Sequence, residues 1–348
     1  MTGRIDIGIL GATGAVGQRM VQLLDGHPWF RIAEVAASER SSGKPYGEAA
    51  NWYLPGGIPS EVRDLKVKGC DEKFESRVLF SGLDATVAGD IESRLRKAGH
   101  AISTNSRNHR MDPDVPLVIP EVNPEHLGAI PRQKKDHGGF IVSNPNCTVV
   151  GLTIPLAPLQ AAFGIRQVVV VSMQASSGAG YPGVPSMDLI DNVIPHIPGE
   201  EQKIPTESLK ILGRYADGGF HPAVFPISAS VNRVPVLDGH TESIFVQLEK
   251  PARPEEVIET MERFHGIPQE RKLPTAPEKP LVVFRQADRP QPRKDRDLGR
   301  GMTVSVGNVR QDEAFSVKFT SCSHNTIRGA AGAAILNAEL LREEGYLE

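Results

Sequence analysis

The first 147 residues alternate between short apolar runs and a segment with helical periodicity. Segment 15–24 places Val16, Met20, Leu23 and Leu24 three or four residues apart, as in an amphipathic helix. Short apolar runs bounded by turn residues are typical of strands buried in a parallel sheet. We expect such strands at 5–10, 31–37, 77–81, 101–104, 115–119 and 139–143. This alternation predicts an α/β fold with a Rossmann-like, doubly wound parallel sheet.

The pattern changes after Cys147. The apolar stretch 148–163 predicts a helix that Pro155 and Pro158 interrupt. Longer strands are then expected at 167–174, 242–249, 281–286, 302–309 and 314–322. These strands predict an α+β domain with a mostly antiparallel or mixed sheet.

The chain is therefore expected to have two domains. An Ala- and Leu-rich helix at 328–344 could pack back on the first domain. The first domain would comprise residues 1–147 together with the C-terminal helix, about 327–348, and the second domain would comprise 148–326. A chain of 348 residues is long enough for two separate cores.

Composition excludes several kinds of partner. The formal net charge is −3 and the positive residues are scattered, which argues against a nucleic-acid partner. No apolar run approaches the roughly 18–20 residues of a membrane span, and the short N-terminus leaves no room for a signal peptide. Three widely spaced cysteines, Cys70, Cys147 and Cys322, form neither a disulfide framework nor a metal site. We expect a cytoplasmic protein with no membrane partner and no metal.

A glycine-rich segment follows the first predicted strand and opens the first predicted helix. Gly11, Gly14 and Gly17 permit a tight turn and let backbone N–H groups approach a phosphate at the start of the helix. A glycine triplet can also be a purely structural turn, but the strand–turn–helix context favours a dinucleotide site. The residues assigned to this site are Gly11, Thr13, Gly14, Ala15 and Val16.

The residues after the second strand bear on the choice between NAD and NADP. An NAD site places an acidic residue about 20 residues after the glycines to bind the ribose hydroxyls. Here Ser38, Arg40 and Ser41 offer donors and positive charge for a 2′-phosphate, whereas Glu39 could bind a hydroxyl instead. The segment could also be a solvated loop. We predict NADP as the cofactor.

Cys147 is the candidate nucleophile. A buried structural thiol is the commonest fate of a free cysteine. However, Asn144, Pro145 and Asn146 form turns, and a helix that begins at Cys147 would lower the pKa of the thiol and donate N–H groups to an oxyanion. A thiol nucleophile needs a base, and His240, at the start of a predicted strand, is one candidate among ten histidines.

Seven segments in the same order resemble one enzyme family over nearly the whole chain. The chain resembles the aspartate-semialdehyde dehydrogenases, and in particular their archaeal and fungal branch. The segments that carry the resemblance are 11–17, 105–112, 144–148, 174–180, 199–203, 233–240 and 325–332.

The resemblance implies a role for each site residue. Cys147 would be acylated, His240 would be the acid and base, and Gln174 would contact the reacting centre. Glu200, rather than its neighbour Glu201, would accept from the substrate ammonium. The other substrate contacts would be Arg233 on the α-carboxylate, with Arg110 and Lys203 on the phosphate. The cofactor site would also include Ser81, with Ser177, Gly178 and Asn325 at the nicotinamide end.

The reaction implied is the NADP-dependent conversion of L-β-aspartyl phosphate to L-aspartate 4-semialdehyde through a Cys147 thioester. This step leads towards lysine, threonine and methionine. The second domain would then be the catalytic and dimerisation domain of a homodimer or homotetramer.

Rival functions use the same or a related fold. A malonyl-CoA or succinyl-CoA reductase would need no ammonium site at Glu200, nor would an N-acetyl-γ-glutamyl-phosphate reductase. A redox sensor would need neither a thiol base nor a carboxylate clamp. A short-chain dehydrogenase needs a tyrosine followed by lysine four residues later, and none of the five tyrosines has one.

Overall fold

A computed structural model describes residues 3–347 of the chain. The strands of the first half are β1 (Ile5–Leu10), β2 (Phe30–Ala37), β3 (Val67–Gly69), β4 (Val78–Ser81), β5 (Ala101–Thr104) and β6 (Phe140–Ser143). They form one sheet in the order β3-β2-β1-β4-β5-β6, and every neighbouring pair is parallel. The strand order reverses between β1 and β4, so the carboxyl ends of these two strands form the switch point of the sheet.

Among residues 3–347, five α-helices belong to this half, and a sixth leads from it into the second half. They are α1 (Ala15–Leu23), α2 (Tyr46–Ala49), α3 (Ser60–Arg63), α4 (Ala85–Lys97), α5 (Ile130–His137) and α6 (Cys147–Phe163). Successive residues of a strand face opposite sides of the sheet, so β1 packs against two layers. Ile7 and Ile9 belong to the cluster that contains α1, whereas Leu10 belongs to the cluster on the side of α4. The sheet is therefore covered on both faces, which accounts for its uninterrupted apolar strands.

The second half contains a mixed sheet and a short hairpin. Its strands are β7 (Ile165–Gln174), β8 (Arg214–Ala216), β9 (Gly219–His221), β10 (Ile227–Arg233), β11 (His240–Leu248), β12 (Leu281–Phe284), β13 (Val304–Gln311) and β14 (Val317–Ser323). The large sheet has the order β10-β7-β11-β14-β13-β12, in which β10 with β7 and β12 with β13 are the parallel pairs. Strands β8 and β9 form the hairpin.

Helix α6 lies against one face of the mixed sheet. Along β11, buried residues alternate with half-buried ones, and Ile244 and Val246 on the buried face share a core with Val150 and Ile154 of α6. His240 is the first residue of β11 and Cys147 is the first residue of α6. The packing of α6 on β11 therefore brings Cys147 and His240 together at one edge of the core.

The last helices complete the second half and return to the first. They are α7 (Ser186–Leu189), α8 (Glu200–Ile211), α9 (Pro254–Glu262), α10 (Ile267–Glu270), α11 (Pro292–Asp295) and α12 (Gly332–Glu343). Ala334, Ile335 and Ala338 of α12 are buried in the same cluster as β1 and α1. This packing is consistent with a C-terminal helix that belongs to the first domain, although the boundaries at 147 and 327 remain predictions. Within residues 3–347, no helix combines the length and apolar character needed to span a membrane.

The predicted fold class is confirmed, with several local corrections. The strand expected at 115–119 is reduced to a single bridge between Leu117 and Ser143, because Pro116 and Pro120 supply no N–H groups for a ladder. The predicted interruption of α6 is wrong, since the helix continues through Pro155 and Pro158. Because its residues are buried almost all round, packing offsets the lost backbone hydrogen bonds. Strands β3, β8, β9 and β10 were not predicted.

Candidate active site

The glycine segment forms a tight turn between β1 and α1. Gly11 has a positive φ of 73°, and a Cβ at Gly17 would lie only 2.6 Å from Ala12 Cα. Both positions therefore require glycine, one for its backbone conformation and the other for the close approach of the helix. The turn leaves the N-terminus of α1 open at the switch point of the sheet, where a helix N-terminus favours a phosphate group.

A groove of about 1110 Å³ runs from this turn to the start of α6. A groove of this size can accommodate a dinucleotide together with a small substrate. It brings many of the predicted residues into one site, although they come from both halves of the chain. The predicted residues that line it are Gly11, Thr13, Gly14, Ala15, Val16, Ser38, Arg110, Cys147, Ser177, Gly178 and Asn325.

Three predicted cofactor residues do not line the groove. Ser81 is buried at the end of β4, Arg40 is exposed, and Ser41 is half-buried in the turn after Ser38. Glu39, the residue that argued for NAD, does line it. The assignments of Arg40, Ser41 and Ser81 to the cofactor remain predictions.

Cys147 begins α6 and faces a histidine. Asn146 caps the helix, because its side-chain Oδ1 accepts from the Thr148 N–H at 2.9 Å. The thiol lines the groove and is half-buried, with Sγ 3.1 Å from His240 Nε2. Behind it, a Cβ at Gly329 would lie 2.6 Å from Cys147 Cβ. The cap and the histidine thus restrain the position of Cys147, and glycine at position 329 leaves the space that Cys147 occupies.

The backbone of Ala175 fixes the tautomer of His240. The Ala175 N–H donates to His240 Nδ1 at 3.0 Å, so Nδ1 carries no proton in the neutral ring. The proton assigned from this bond lies on Nε2, the nitrogen that faces Sγ. In this tautomer the imidazole can donate to a thiolate or to a nearby oxyanion, which supports the predicted acid role. Acceptance of the thiol proton at Nε2 would require the other tautomer.

Burial keeps both members of this pair neutral in the free protein. It raises the pKa of Cys147 to about 12, so the lowered pKa expected from the helix start is wrong. The nearby Glu200 carboxylate acts in the same direction as burial, while Arg110 and Arg233 oppose it. Burial and the positive charge of Arg233 lower the pKa of His240 to about 3. A thiol with such a pKa is a weak nucleophile at neutral pH. Stabilisation of the thiolate during attack therefore depends on the N-terminus of α6, the His240 N–H and the two guanidinium groups.

Glu200 is the centre of a buried polar cluster. Its Oε2 accepts from Asn146 Nδ2 at 2.7 Å and from Gln174 Nε2 at 3.3 Å, and its Oε1 accepts from Lys203 Nζ at 2.7 Å. Burial raises the pKa of Glu200, but these hydrogen bonds outweigh it and the net pKa is lowered. The cluster thus holds a carboxylate next to Asn146, the residue before Cys147. Glu201 is only half-buried on the adjacent side of α8.

The two predicted substrate arginines are buried and differ in their partners. Arg110 donates from Nη1 to Glu207 Oε1 at 3.0 Å and from Nη2 to the Asn105 carbonyl at 2.8 Å. Arg233 donates from Nη1 to the Ala175 carbonyl at 2.7 Å, its one side-chain hydrogen bond to the described part of the chain. Burial lowers the pKa of Arg233. Much of the Arg233 fork is thus available to a bidentate carboxylate.

Ser177, Gly178 and Asn325 form the far wall of the groove. Asn325 Nδ2 donates to Ser177 Oγ at 2.8 Å, and Asn325 Oδ1 accepts from the Gly239 N–H at 2.9 Å. A Cβ at Gly178 would lie 2.8 Å from Arg233 Nη1 and 3.1 Å from His240 Cε1. Glycine at this position lets the wall pack directly on the side chains of Arg233 and His240.

Sequence analysis missed three contributors to this site. Glu207 bonds both Arg110 and the Asn146 N–H, the Ala175 N–H orients His240, and Gly329 makes room for Cys147. Glu207 lies seven residues after Glu200 on one face of α8, and this helical spacing could have indicated it. The other two act through a backbone group or a missing side chain, and neither leaves a local pattern.

Comparison with known proteins agrees with this architecture. Residues 6–130 match the family model "Semialdehyde dehydrogenase, NAD binding domain", and residues 156–328 match "Semialdehyde dehydrogenase, dimerisation domain". The aspartate-semialdehyde dehydrogenase of Methanothermobacter thermautotrophicus is 51% identical over 97% of this chain and 99% of the relative. That of Archaeoglobus fulgidus is 48% identical over 98% of this chain and 99% of the relative.

A solved structure extends the comparison to the whole fold. The crystal structure of aspartate-semialdehyde dehydrogenase with NADP from Candida albicans superposes with a TM-score of 0.91. It is 43% identical to this chain, and the match covers 99% of both chains. The resemblance inferred from the seven sequence segments is thereby confirmed, and the chain belongs to the aspartate-semialdehyde dehydrogenase family.

Proposed function

We propose that this protein reduces L-β-aspartyl phosphate to L-aspartate 4-semialdehyde with NADPH, and that it works in the biosynthesis of lysine, threonine and methionine. The observation that carries the proposal is the 3.1 Å contact between Cys147 Sγ and His240 Nε2. Cys147 lines the groove that also contains the glycine turn, and His240 is buried next to it. The same groove thus contains a thiol that can form an acyl thioester and a binding site for a dinucleotide.

The residues around the groove fit NADP. The N-terminus of α1 and the Gly11 turn would hold the pyrophosphate, and Ser38 would contact the 2′-phosphate. Ser177, Gly178 and Asn325 would line the nicotinamide end. When bound, NADPH would supply the hydride that reduces the acyl group on Cys147 to the oxidation level of an aldehyde.

Four charged side chains would each bind one functional group of the substrate. Arg233 would bind the α-carboxylate through its free fork, and Glu200 would accept from the α-ammonium. Arg110 and Lys203 would bind the phosphoryl group. Each group of the substrate meets a side chain of opposite charge, which orients the acyl carbon towards Cys147.

The covalent steps follow from this orientation. Cys147 Sγ attacks the acyl carbon and the carbonyl electrons move to oxygen. Collapse of this oxyanion breaks the bond to phosphate and leaves a thioester, and the thiol proton leaves on the departing phosphate as hydrogen phosphate. After reduction, the thiohemiacetal oxygen re-forms the carbonyl, the C–S bond breaks, and the thiolate is regenerated. The Nε2–H of His240 would donate to the oxyanion in both halves, because it already points at the sulfur.

A substrate panel tests the proposal. The purified protein should sustain repeated turnover of NADP with the semialdehyde only when phosphate or arsenate is present, and it should not oxidise NADPH with malonyl-CoA or succinyl-CoA. Preference for a CoA thioester would reject the amino-acid substrate. Cys147→Ser should lose nearly all turnover while the affinity for NADP stays within about twofold. Wild-type turnover in the serine variant would remove the thioester from the mechanism.

A second copy of the chain is the expected partner. Val169, Val171 and Met173 of β7 and Phe245 of β11 alternate with the buried core residues and stay half-exposed in the single chain. A face of this kind on the domain named for dimerisation supports a homodimer or homotetramer. Light scattering after size exclusion gives the number of copies. All three cysteines are free in the described chain, as a cytoplasmic location would require.

A further inference from the structure

Helix α8 carries four charged residues on one face, of which all but Lys203 are buried. Glu200, Lys203, Glu207 and Lys210 follow each other at three- and four-residue spacing, which places them on the same side of a helix. Lys210 Nζ donates to the carbonyls of Arg110, Asp112 and Val115 at 2.8, 3.1 and 2.9 Å. The helix therefore anchors the loop that carries Arg110 as well as the cluster at Glu200.

Glu207 joins the anion-binding arginine to the start of the nucleophile helix. Its Oε1 accepts from Arg110 Nη1 at 3.0 Å, and its Oε2 accepts from the Asn146 N–H at 2.7 Å. The side chain is almost completely buried, at 2% exposure. One carboxylate oxygen thus binds Arg110 and the other binds the backbone N–H of Asn146, which precedes Cys147. Because Glu207 is buried, water does not compete for either hydrogen bond.

The hydrogen bonds of Arg110 within the described chain use only two of the five N–H groups of its guanidinium. Nη1 and Nη2 are bound to Glu207 and to the Asn105 carbonyl, whereas Nε is buried without a partner among residues 3–347. A guanidinium is planar, so two fixed contacts set the direction of the remaining N–H groups. Arg110, Asn146 and Cys147 all line the groove, and the charge of Arg110 acts to lower the pKa of the Cys147 thiol, so the guanidinium lies near the sulfur.

Glu207 compensates the buried charge of Arg110, but for anion binding simple electrostatics gives no reason for a carboxylate at this place. A negative charge in contact with Arg110 reduces the attraction of the site for an anion. Its removal would therefore tighten anion binding if charge alone mattered. If the carboxylate instead holds Arg110 in position, its removal would weaken anion binding. The two explanations predict changes of opposite sign.

We propose that Glu207 is a positioning residue for the phosphate half of the reaction. It orients Arg110 so that the free N–H groups bind a phosphate oxygen next to the acyl carbon on Cys147. In the direction of semialdehyde oxidation, a phosphate oxygen then attacks the thioester carbon, the C–S bond breaks, and the thiolate leaves. This step is an acyl transfer from sulfur to phosphate, so it needs no oxidant or reductant. The inference rests on the proposed function.

The central experiment compares Glu207→Gln with a matched control, Glu201→Gln. The glutamine amide oxygen can accept only one of the two hydrogen bonds. Its NH₂ group would then lie against the remaining donor, either Arg110 Nη1 or the Asn146 N–H. We expect the phosphate KM of Glu207→Gln to rise about tenfold or more, with KM for NADP and for semialdehyde within about twofold of wild type. The half-exposed Glu201 on the same helix should tolerate the same loss of charge without these effects.

Phosphate binding is also measured without cofactor. Inorganic phosphate should protect Cys147 from alkylation by iodoacetamide, and about tenfold more phosphate should be needed in Glu207→Gln. If Glu207→Gln instead keeps or lowers the phosphate concentration required, positioning of Arg110 is overturned. If Glu207→Gln does not fold, Glu207→Asp, which keeps the charge but reaches only one partner, carries the same comparison.

Two further measurements separate this inference from the proposed function. Without phosphate, wild type mixed with NADP and semialdehyde should form one NADPH per active site in a burst, and no burst in wild type would reject the thioester mechanism itself. Glu207→Gln should retain the burst, and a variant that loses it contradicts a role confined to phosphate. In an Arg110→Gln background, Glu207→Gln should add less than about twofold to the phosphate KM. A full additional effect would show that Glu207 does not act through Arg110.

Discussion

Cys147 Sγ and His240 Nε2 lie 3.1 Å apart although 93 residues separate them in the chain. Packing of α6 on β11 brings the two together, and the Ala175 N–H directs the His240 proton towards the sulfur. The pair is therefore arranged as a thiol next to a hydrogen-bond donor. This arrangement suits oxyanion and thiolate stabilisation, which is the largest demand of acyl transfer.

Replacement of His240 by glutamine should lower kcat about 10²- to 10⁴-fold, the usual range for a general acid or base. The KM for NADP should change little, because His240 contributes no side chain to the glycine turn. Steady-state rates of NADP reduction measure both values. A fall in kcat of less than about threefold would show that His240 is not needed for proton transfer.

Replacement of Gly329 by alanine should displace Cys147, the proposed nucleophile. The new methyl group would lie 2.6 Å from Cys147 Cβ, so the start of α6 must shift. We expect kcat to fall about 100-fold and stability to fall by about 1–3 kcal/mol, the usual cost of overpacking. Turnover and thermal unfolding give the two quantities. Gly57→Ala is the matched control, since a Cβ at that position meets no atom within 4 Å.

Replacement of Ser38 by alanine should weaken NADP selectively. Ser38 lines the groove at the end of β2, where a 2′-phosphate would accept its hydrogen bond. Loss of one hydrogen bond to a charged group should raise the KM for NADP about tenfold and leave the KM for NAD within about twofold. Ser42→Ala, four residues on and away from the groove lining, serves as the control. Equal effects on both nucleotides would remove Ser38 from the 2′-phosphate site.

Replacement of Glu242 by glutamine should raise stability increasingly as the pH rises. Glu242 lies between Ser172 and Ser321 on the buried face of β11, and neither carboxyl oxygen has a hydrogen-bond partner among residues 3–347. Burial raises its pKa well above the ordinary value of 4.5. The folded protein thus retains a proton that the unfolded chain has lost at neutral pH, so the wild-type stability falls as the pH rises above about 4.5.

Glutamine at position 242 cannot ionise, so this pH-dependent loss should disappear. The difference in unfolding free energy should grow by at most about 1.4 kcal/mol per pH unit. Denaturant unfolding from about pH 5 to about pH 8 measures the slope. A constant difference across this range would show that Glu242 has the same protonation state in both folded and unfolded chains.

Sequence patterns predicted those parts of the fold that depend on local physics. β1 and β5 have the expected bounds, because a short apolar run between turn residues has few alternatives to a buried strand. Prolines were less informative. Pro116 prevented the strand expected at 115–119, whereas Pro155 and Pro158 are accommodated within α6. The outcome depends on whether surrounding packing offsets the lost hydrogen bonds, and neighbours in sequence do not report that packing.

The sequence by itself determined the glycine turn, the candidate thiol at a helix start and the alternation of strands and helices, since these depend on backbone freedom and periodicity within a few residues. Only the tertiary structure decided the tautomer of His240, the space that Gly329 leaves for Cys147, and the bridge from Glu207 to Arg110 and Asn146. These features join residues that are far apart in the chain. Their energies come from contacts of a few ångströms, which exist only after the two sheets and α6 have packed together.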